Sequence, residues 1–126
     1  MNQDDIDPYS HRVIGCAIEV HRALGPGLME RVYEECLCQE LAQAGLRHER
    51  QRAVPVVYKG RTLDLDFRAD VIVEDTLLLE IKAQRETLPL HEAQLLTYMK
   101  LTGIALGLLL NFNVSVLKDG VRRRRL

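Results

Sequence analysis

Apolar residues spaced three and four positions apart predict three helices along this chain. The first begins near Pro8, because proline favours an initial helical turn, and it ends at Gly25-Pro26-Gly27. The second covers about residues 28–44, and a glycine follows it as a stop. The third begins at Pro89 and stops at Gly103.

Short β-prone segments between the second and third helices predict an antiparallel meander. An extended segment covers about residues 51–58, a turn follows at Lys59-Gly60, and strands over residues 63–73 and 76–82 flank a short polar connection. Residues 104–112 are nearly all apolar and follow a helix directly, which is typical of a buried strand at the crossover position of a βαβ unit.

The C-terminus carries a turn signal, Asp119-Gly120, that predicts a hairpin between residues 114–118 and 121–126. The chain is therefore expected to be an α/β protein. Its mixed β-sheet consists of an antiparallel meander plus a parallel crossover strand, with helices flanking the sheet.

The last two strands of the meander hold the candidate chemistry. Because side chains alternate between the faces of a strand, Glu80 and Lys82 share a face. A three-residue connection over residues 74–76 puts Asp70 opposite Glu80. A two-residue turn instead sets Asp70 opposite Leu79 and sends the two carboxylates to opposite faces.

Two helices add polar residues to this picture. Glu30 aligns with Tyr33 and Leu37 at i, i+3 and i+7, at the edge of the inward face of its helix, although an acid in a first turn also interacts favourably with the helix dipole. Gln94 and Tyr98 lie one turn apart on the third helix, a pattern that a surface glutamine beside a core-packed tyrosine also explains.

Further residues are lesser candidates. In a regular strand, Asp64 and Asp66 share a face with Asp70, and His91 shares the helix face of Gln94 and Tyr98. An exposed ion pair of Glu80 with Lys82 is the alternative for the strand. The leucines around them make that strand apolar on both faces, so its charges are not typical of surface decoration.

With 126 residues and 47% hydrophobic content, the chain suits one domain over residues 1–126. Its net charge of −1 gives no overall attraction for polyanions, so nucleic-acid binding requires local patches. Two clusters qualify, and a solvated surface explains either of them equally well: His48, Arg50, Arg52, Lys59 and Arg61, and Arg122 to Arg125.

Three features of the sequence favour a cytoplasmic location. The three cysteines, Cys16, Cys36 and Cys38, have neither a disulfide framework nor a metal-ligand spacing, which favours a reducing compartment. The longest apolar stretch, residues 104–110, is far shorter than the ~20 residues of a membrane span, and the acidic N-terminus does not resemble a signal peptide. We expect a soluble cytoplasmic protein with no membrane partner.

The order of helix acid, strand acid and Glu80-Ile81-Lys82 resembles the PD-(D/E)XK nuclease superfamily, over most of the chain. Gly27-Leu28-Met29-Glu30-Arg31-Val32-Tyr33 matches the signature of its small GxxExxY proteins, and Gln94-Leu95-Leu96-Thr97-Tyr98 is similar to the QxxxY element of its RecB-like branch. Ala69 stands where the name-giving pattern has proline. The resemblance implies a restriction-endonuclease-like core.

The resemblance also implies a metal site for Mg²⁺ or Mn²⁺, cations that prefer oxygen ligands. Asp70 and Glu80 are the implied direct ligands, the backbone carbonyl of Ile81 is a third, and Glu30 completes the site directly or through water. Lys82 is the implied stabiliser or water-orienting group. Gln94 and Tyr98 are placed to position the substrate or Lys82.

The leading hypothesis is therefore a metal-dependent nuclease that hydrolyses phosphodiester bonds of DNA. Two alternatives stay open: a catalytically inactive module of the same fold that binds nucleic acid or protein, and an enzyme for small phosphoesters. A homodimer or an unknown protein partner is also compatible with the sequence, because so small a nuclease needs additional positive surface to hold its substrate.

Overall fold

A five-stranded sheet with helices on both faces forms the body of the protein, in a computed structural model that describes residues 7–63, 65 and 67–126. The helices are α1 (Ser10–Leu24), α2 (Glu30–Gln43) and α3 (Pro89–Thr102), and a short 3₁₀ helix covers Leu117–Gly120. The strands are β1 (His48–Ala53), β2 (Val56–Tyr58), β3 (Arg61–Leu63), β4 (Arg68–Val73), β5 (Leu77–Lys82), β6 (Leu106–Asn111) and β7 (Val121–Arg125).

The sheet order, β1-β4-β5-β6-β7, confirms the predicted mixed architecture. Strands β1, β4 and β5 pair antiparallel, and α3 carries the chain across to β6, which pairs parallel with β5. Strand β7 then pairs antiparallel with β6 and forms one edge of the sheet. Helices cover both faces, so the inner strands are apolar on both sides, as the crossover prediction requires.

The core has two layers, one on each side of the sheet. Helices α1 and α2 pack Val13 and Leu37 against alternate residues of the inner strands, including Leu79. On the other face, Leu95 and Met99 of α3 pack on the intervening strand residues. This helix lies close to β6 at Gly107, where an added Cβ would come within 2.6 Å of the Met99 sulfur.

The connection between α1 and α2 is fixed by Tyr33. Its hydroxyl donates to the Gly25 carbonyl at 2.5 Å and accepts the Leu28 N–H at 3.1 Å, while its ring stacks on Phe112 with centroids 4.5 Å apart. Gly27 has φ of 101°, which a side chain would disfavour. This connection sets where α2 begins, and it begins at Glu30, two residues after the predicted start.

The predicted extended segment over residues 51–58 is wrong, because it divides into two strands in different sheets. The ladder between β1 and β4 extends to the bond from the Val54 N–H to the Phe67 carbonyl at 2.7 Å, and Pro55 then has no N–H to continue it. Strands β2 and β3 instead form a two-stranded sheet of their own around the predicted turn at Lys59-Gly60. We call residues 56–63 the β2–β3 arm; Asp64 and Asp66 lie outside the described residues.

The prediction of a C-terminal hairpin is also wrong, because the last strand does not pair with residues 114–118. Residues 114–118 do not form a strand, and β7 pairs with β6 instead. Gly120 permits this return, because an added Cβ there would lie 2.0 Å from the Asn111 carbonyl oxygen. Within the described part of the chain, no helix has the length and hydropathy of a membrane span, and the three cysteines are free.

Candidate active site

Asp70 and Glu80 meet where strands β4 and β5 separate. The two strands pair from Val73 with Leu77 to Val71 with Leu79, so Asp70 and Glu80 are next in register. The three-residue connection over residues 74–76 is the one that the shared site requires. Beyond the last pair, the Ile81 N–H donates to a side chain instead of a main-chain carbonyl. The Asp70 Oδ2 accepts this hydrogen bond at 2.8 Å.

Glu80 is buried without a full set of partners. Its side chain is on the apolar strand β5, with 4% of the residue exposed, and among the described residues its Oε1 has no hydrogen-bond partner. Burial, and then the Asp70 charge, raise the pKa of Glu80 to about 9, although Lys82 acts in the opposite direction. A buried carboxylate of this kind is stable only with a proton or a cation beside it.

Asp70 lies close to carboxylates from two other elements, α2 and β5. Burial raises its pKa, and the charges of Glu34 and Glu30 on α2 act in the same direction. Hydrogen bonds from the Ile81 main chain and from the Gln51 side chain oppose that rise. The site therefore concentrates negative charge in a place that water reaches poorly.

Lys82 on β5 and the QxxxY pair on α3 interact with each other and with the acids of the site. The Lys82 ammonium donates to Gln94 Oε1 at 3.3 Å. Burial raises the pKa of Tyr98, and the charges of Glu80 and Asp70 add to that rise. The Tyr98 ring meets Phe67 edge-on, with centroids 4.7 Å apart. Gln94 and Tyr98 are thus turned toward the strand residues of the site.

Glu30 and His91 are held by other residues. Glu30, the first residue of α2, accepts from the Gln84 side chain at 3.4 Å. His91 Nδ1 accepts the Leu88 N–H at 3.1 Å, which caps the start of α3. The charge of Glu30 nevertheless acts on Asp70, so this carboxylate lies at the border of the site.

Glu34 is a buried acid that the sequence analysis missed. It lies one helical turn after Glu30, and 8% of it is exposed. Its Oε2 accepts from Arg50 at 3.0 and 3.2 Å, and its Oε1 accepts from Gln51 at 2.9 Å. The four-residue spacing from Glu30 was the available signal, because it places both acids on one helix face.

Asn111 was also missed, and it clamps the chain that leaves the site. It lies opposite Lys82 in the pairing of β5 with β6 and is 1% exposed. Its amide nitrogen donates to the Gln84 carbonyl at 3.0 Å and to Thr87 at 3.3 Å, and its oxygen accepts the Gln84 N–H at 3.1 Å. These bonds satisfy a buried amide and fix the segment between Lys82 and α3.

The two predicted basic patches are largely neutralised by carboxylates. Arg50 pairs with Glu34 and Glu35, Arg52 with Glu49 and Asp75, Arg123 with Asp7, and Arg124 with Glu92. Lys59 and Arg61, on the exposed β2–β3 arm, have no carboxylate within 4.0 Å among the residues that the structure describes. The Lys59 ammonium lies 5.4 Å from the ring centre of Tyr58.

We call the point where β4 and β5 separate beside Asp70 and Glu80 the fork. Its oxygen donors suit a hard divalent cation. In the described ranges, no three side chains of histidine, cysteine, aspartate or glutamate converge on one point, so a metal here would take two carboxylates together with main-chain or water oxygens. Mg²⁺ is commonly bound in that way, because it retains several waters. The buried Glu80 Oε1, which accepts no hydrogen bond from the described residues, is the atom that fits such an ion.

Comparison with known proteins gives one family. The model of the PD-(D/E)XK nuclease superfamily matches residues 7–124, which include every element of the site. No curated protein and no solved structure matches the chain significantly.

Proposed function

Because the chain belongs to the PD-(D/E)XK nuclease superfamily, we propose that it is a Mg²⁺- or Mn²⁺-dependent nuclease that hydrolyses phosphodiester bonds of DNA. The observation that carries this proposal is the Glu80 Oε1, which is buried beside Asp70 and has no hydrogen-bond partner within the part of the chain that the structure describes. A divalent cation would satisfy this oxygen and remove the repulsion between the two carboxylates.

Asp70 and Glu80 would hold the metal directly, with the Ile81 carbonyl as a third donor and Glu30 through water. When bound, such an ion activates water and offsets negative charge on a phosphoryl group. The protein prepares for it by burial, since few water molecules compete for the carboxylates. The Ile81 N–H keeps the Asp70 carboxylate at the fork between the strands.

Lys82 is the proposed stabilising group. Its ammonium shares the strand face of Glu80 and is held by Gln94, so its charge lies where the phosphate would approach the carboxylates. A compact ammonium with three donors can orient an attacking water and offset the charge that develops on phosphate oxygens. Gln94 positions Lys82, and the Tyr98 hydroxyl is available for the substrate.

DNA contact is proposed for the β2–β3 arm. The arm joins the ends of β1 and β4 that pair at Ala53 and Arg68, and Asp70 lies two residues further along β4, roughly 7 Å in an extended strand. Lys59 and Arg61 supply positive charge there, and Tyr58, which is 62% exposed, supplies a face for a base or sugar.

A cleavage assay tests this function. Labelled single-stranded, duplex and branched DNA, and RNA, are incubated with the protein and Mg²⁺, Mn²⁺ or EDTA. We expect metal-dependent cleavage of DNA that falls at least 100-fold, on the order of one lost transition-state contact, in Glu80→Gln and in Lys82→Ala. Glu19→Gln, an exposed carboxylate on α1, is the matched control and retains activity.

Three results would contradict the proposal. Cleavage that persists in both Glu80→Gln and Lys82→Ala would separate the activity from this site. Folded protein that cleaves no substrate with either metal, yet binds DNA or another protein, would identify a non-catalytic module of the same fold. Turnover of small phosphoesters without cleavage of a polymer would identify the third class of function.

A further inference from the structure

We propose that Gln51 is a positioning residue of the candidate metal site, whose strained backbone turns its side-chain amide toward Asp70 and Glu34 and so fixes the Asp70 carboxylate for the cation. This inference rests on the proposed function, because it assigns a task to Gln51 only if Asp70 holds a metal. Gln51 contributes no charge and no ligand atom to the site.

The register places Gln51 directly beside Asp70. Arg50 pairs with Val71 and Arg52 pairs with Ala69, so Gln51 is opposite Asp70 in the ladder between β1 and β4. Its φ is 54°, in the left-handed region that residues with a side chain rarely adopt. Of the six residues of β1, this is the one with a positive φ.

The strained backbone changes the direction of the side chain. In a regular strand, neighbouring residues point to opposite faces. Here both Arg50 and Gln51 donate to Glu34, Arg50 to Oε2 and Gln51 to Oε1 at 2.9 Å. The positive φ therefore brings the Gln51 amide to the side of the sheet that α2 covers.

A second contact holds the turned peptide in place. The Arg68 guanidinium donates to the Gln51 carbonyl at 2.9 Å, from the strand opposite. The carbonyl thus has a charged partner in the distorted ladder, and the conformation is fixed at both the carbonyl and the side chain. Strained residues that are held in this way are concentrated at functional sites.

The Gln51 amide offsets the repulsion between two carboxylates at the site. Asp70 and Glu34 repel each other, and the Gln51 amide donates to Glu34 and lies opposite Asp70 in the register, where it opposes the rise in the Asp70 pKa. A neutral donor separates the two acids without supplying a cation that would compete with a metal. Together with the Ile81 N–H, it leaves the Asp70 carboxylate few other orientations. Removal of a group that orients a metal ligand in this way commonly lowers the affinity for the metal.

The test compares Gln51→Gly with Gln51→Ala, since both variants lose the amide and only glycine relieves the backbone. Mn²⁺ affinity, measured by calorimetry without nucleic acid, is expected to fall about ten-fold or more in both variants. The urea midpoint of Gln51→Gly is expected to lie above that of Gln51→Ala. Asp75→Gly changes another positive-φ residue, in the connection that follows β4, and should bind Mn²⁺ like the wild type.

Each outcome decides a separate question. Variants that bind Mn²⁺ as tightly as the wild type overturn the positioning proposal and leave the metal site intact. Equal urea midpoints for the two variants show that the backbone is not strained, which also overturns it. Wild-type protein that binds no Mn²⁺ removes the proposed function itself, and the assignment of Gln51 with it.

Discussion

Replacement of Glu80 by glutamine should make the stability of the metal-free protein less dependent on pH. Burial beside Asp70 raises the pKa of Glu80 to about 9 in the folded state, from its ordinary value of 4.5. Between these two values the folded protein keeps a proton that the unfolded chain releases. Stability therefore falls as the pH rises through this window, because deprotonation favours the unfolded chain.

The size of the effect follows from the proton difference. From pH 6 to pH 8 the folded and unfolded states differ by nearly one proton at Glu80, so the free energy of unfolding should fall by an amount on the order of 3 kcal/mol over this range. The pKa of Asp70 is also raised, so any effect of its titration on stability has the same sign.

Other perturbed groups titrate outside this window. The pKa values of Asp7, Glu49 and Glu74 are lowered from ordinary values at or below 4.5, so these carboxyls lose stabilising contacts only in acid. Burial raises the pKa of Cys38 from 9.0 to about 11, which acts only in alkali. The shifts of these four groups therefore act outside the range from pH 6 to pH 8.

Urea unfolding in EDTA at pH 6 and pH 8 measures this dependence. The wild-type midpoint should drop by roughly 1–2 M over that range, given ordinary urea sensitivities for a domain of this size. The Glu80→Gln midpoint should change much less, because glutamine cannot lose a proton. Equal wild-type midpoints at the two pH values, or an equal drop in the variant, would refute the account of a protonated Glu80.

Two further predictions concern the arm and the connection before α2. Lys59→Ala combined with Arg61→Ala should weaken binding of duplex DNA in EDTA and lower the slope of log K against log salt by about 2, measured by fluorescence anisotropy. Lys100→Ala, in the last turn of α3, should leave that slope unchanged. Tyr33→Phe leaves the Gly25 carbonyl and the Leu28 N–H without their partner, so the free energy of unfolding should fall by about 1–3 kcal/mol in urea titrations; an unchanged value would show that water replaces the hydroxyl.

The sequence was sufficient to predict that Asp70 and Glu80 meet, because the odd or even length of the connection between the two strands decides which residues are opposite one another. Alternation along β4 and β5, together with an odd connection, leaves one register in which Asp70 and Glu80 meet. The end of β1 was also visible in principle, since Pro55 cannot donate to a ladder. These features depend on a few neighbouring residues, so local rules apply to them.

The remaining differences depend on contacts between distant segments. Strand β7 had two acceptable partners, and the close approach of Gly120 to Asn111 selects β6. The part played by Gln51 depends on a single φ value, which is stabilised by Arg68 and Glu34 from other elements. No periodicity or propensity along β1 reports that conformation, because a regular strand would carry the same residues.

The two edges of the sheet have a consequence for solubility and assembly. Strand β1 carries charged or polar side chains at five of its six positions, and β7 is a run of arginines, Arg122 to Arg125, beside the apolar β6. An exposed edge is a template on which another chain can extend a sheet. The polar and charged side chains of β1 and β7 oppose such pairing, which lowers the tendency of either edge to aggregate.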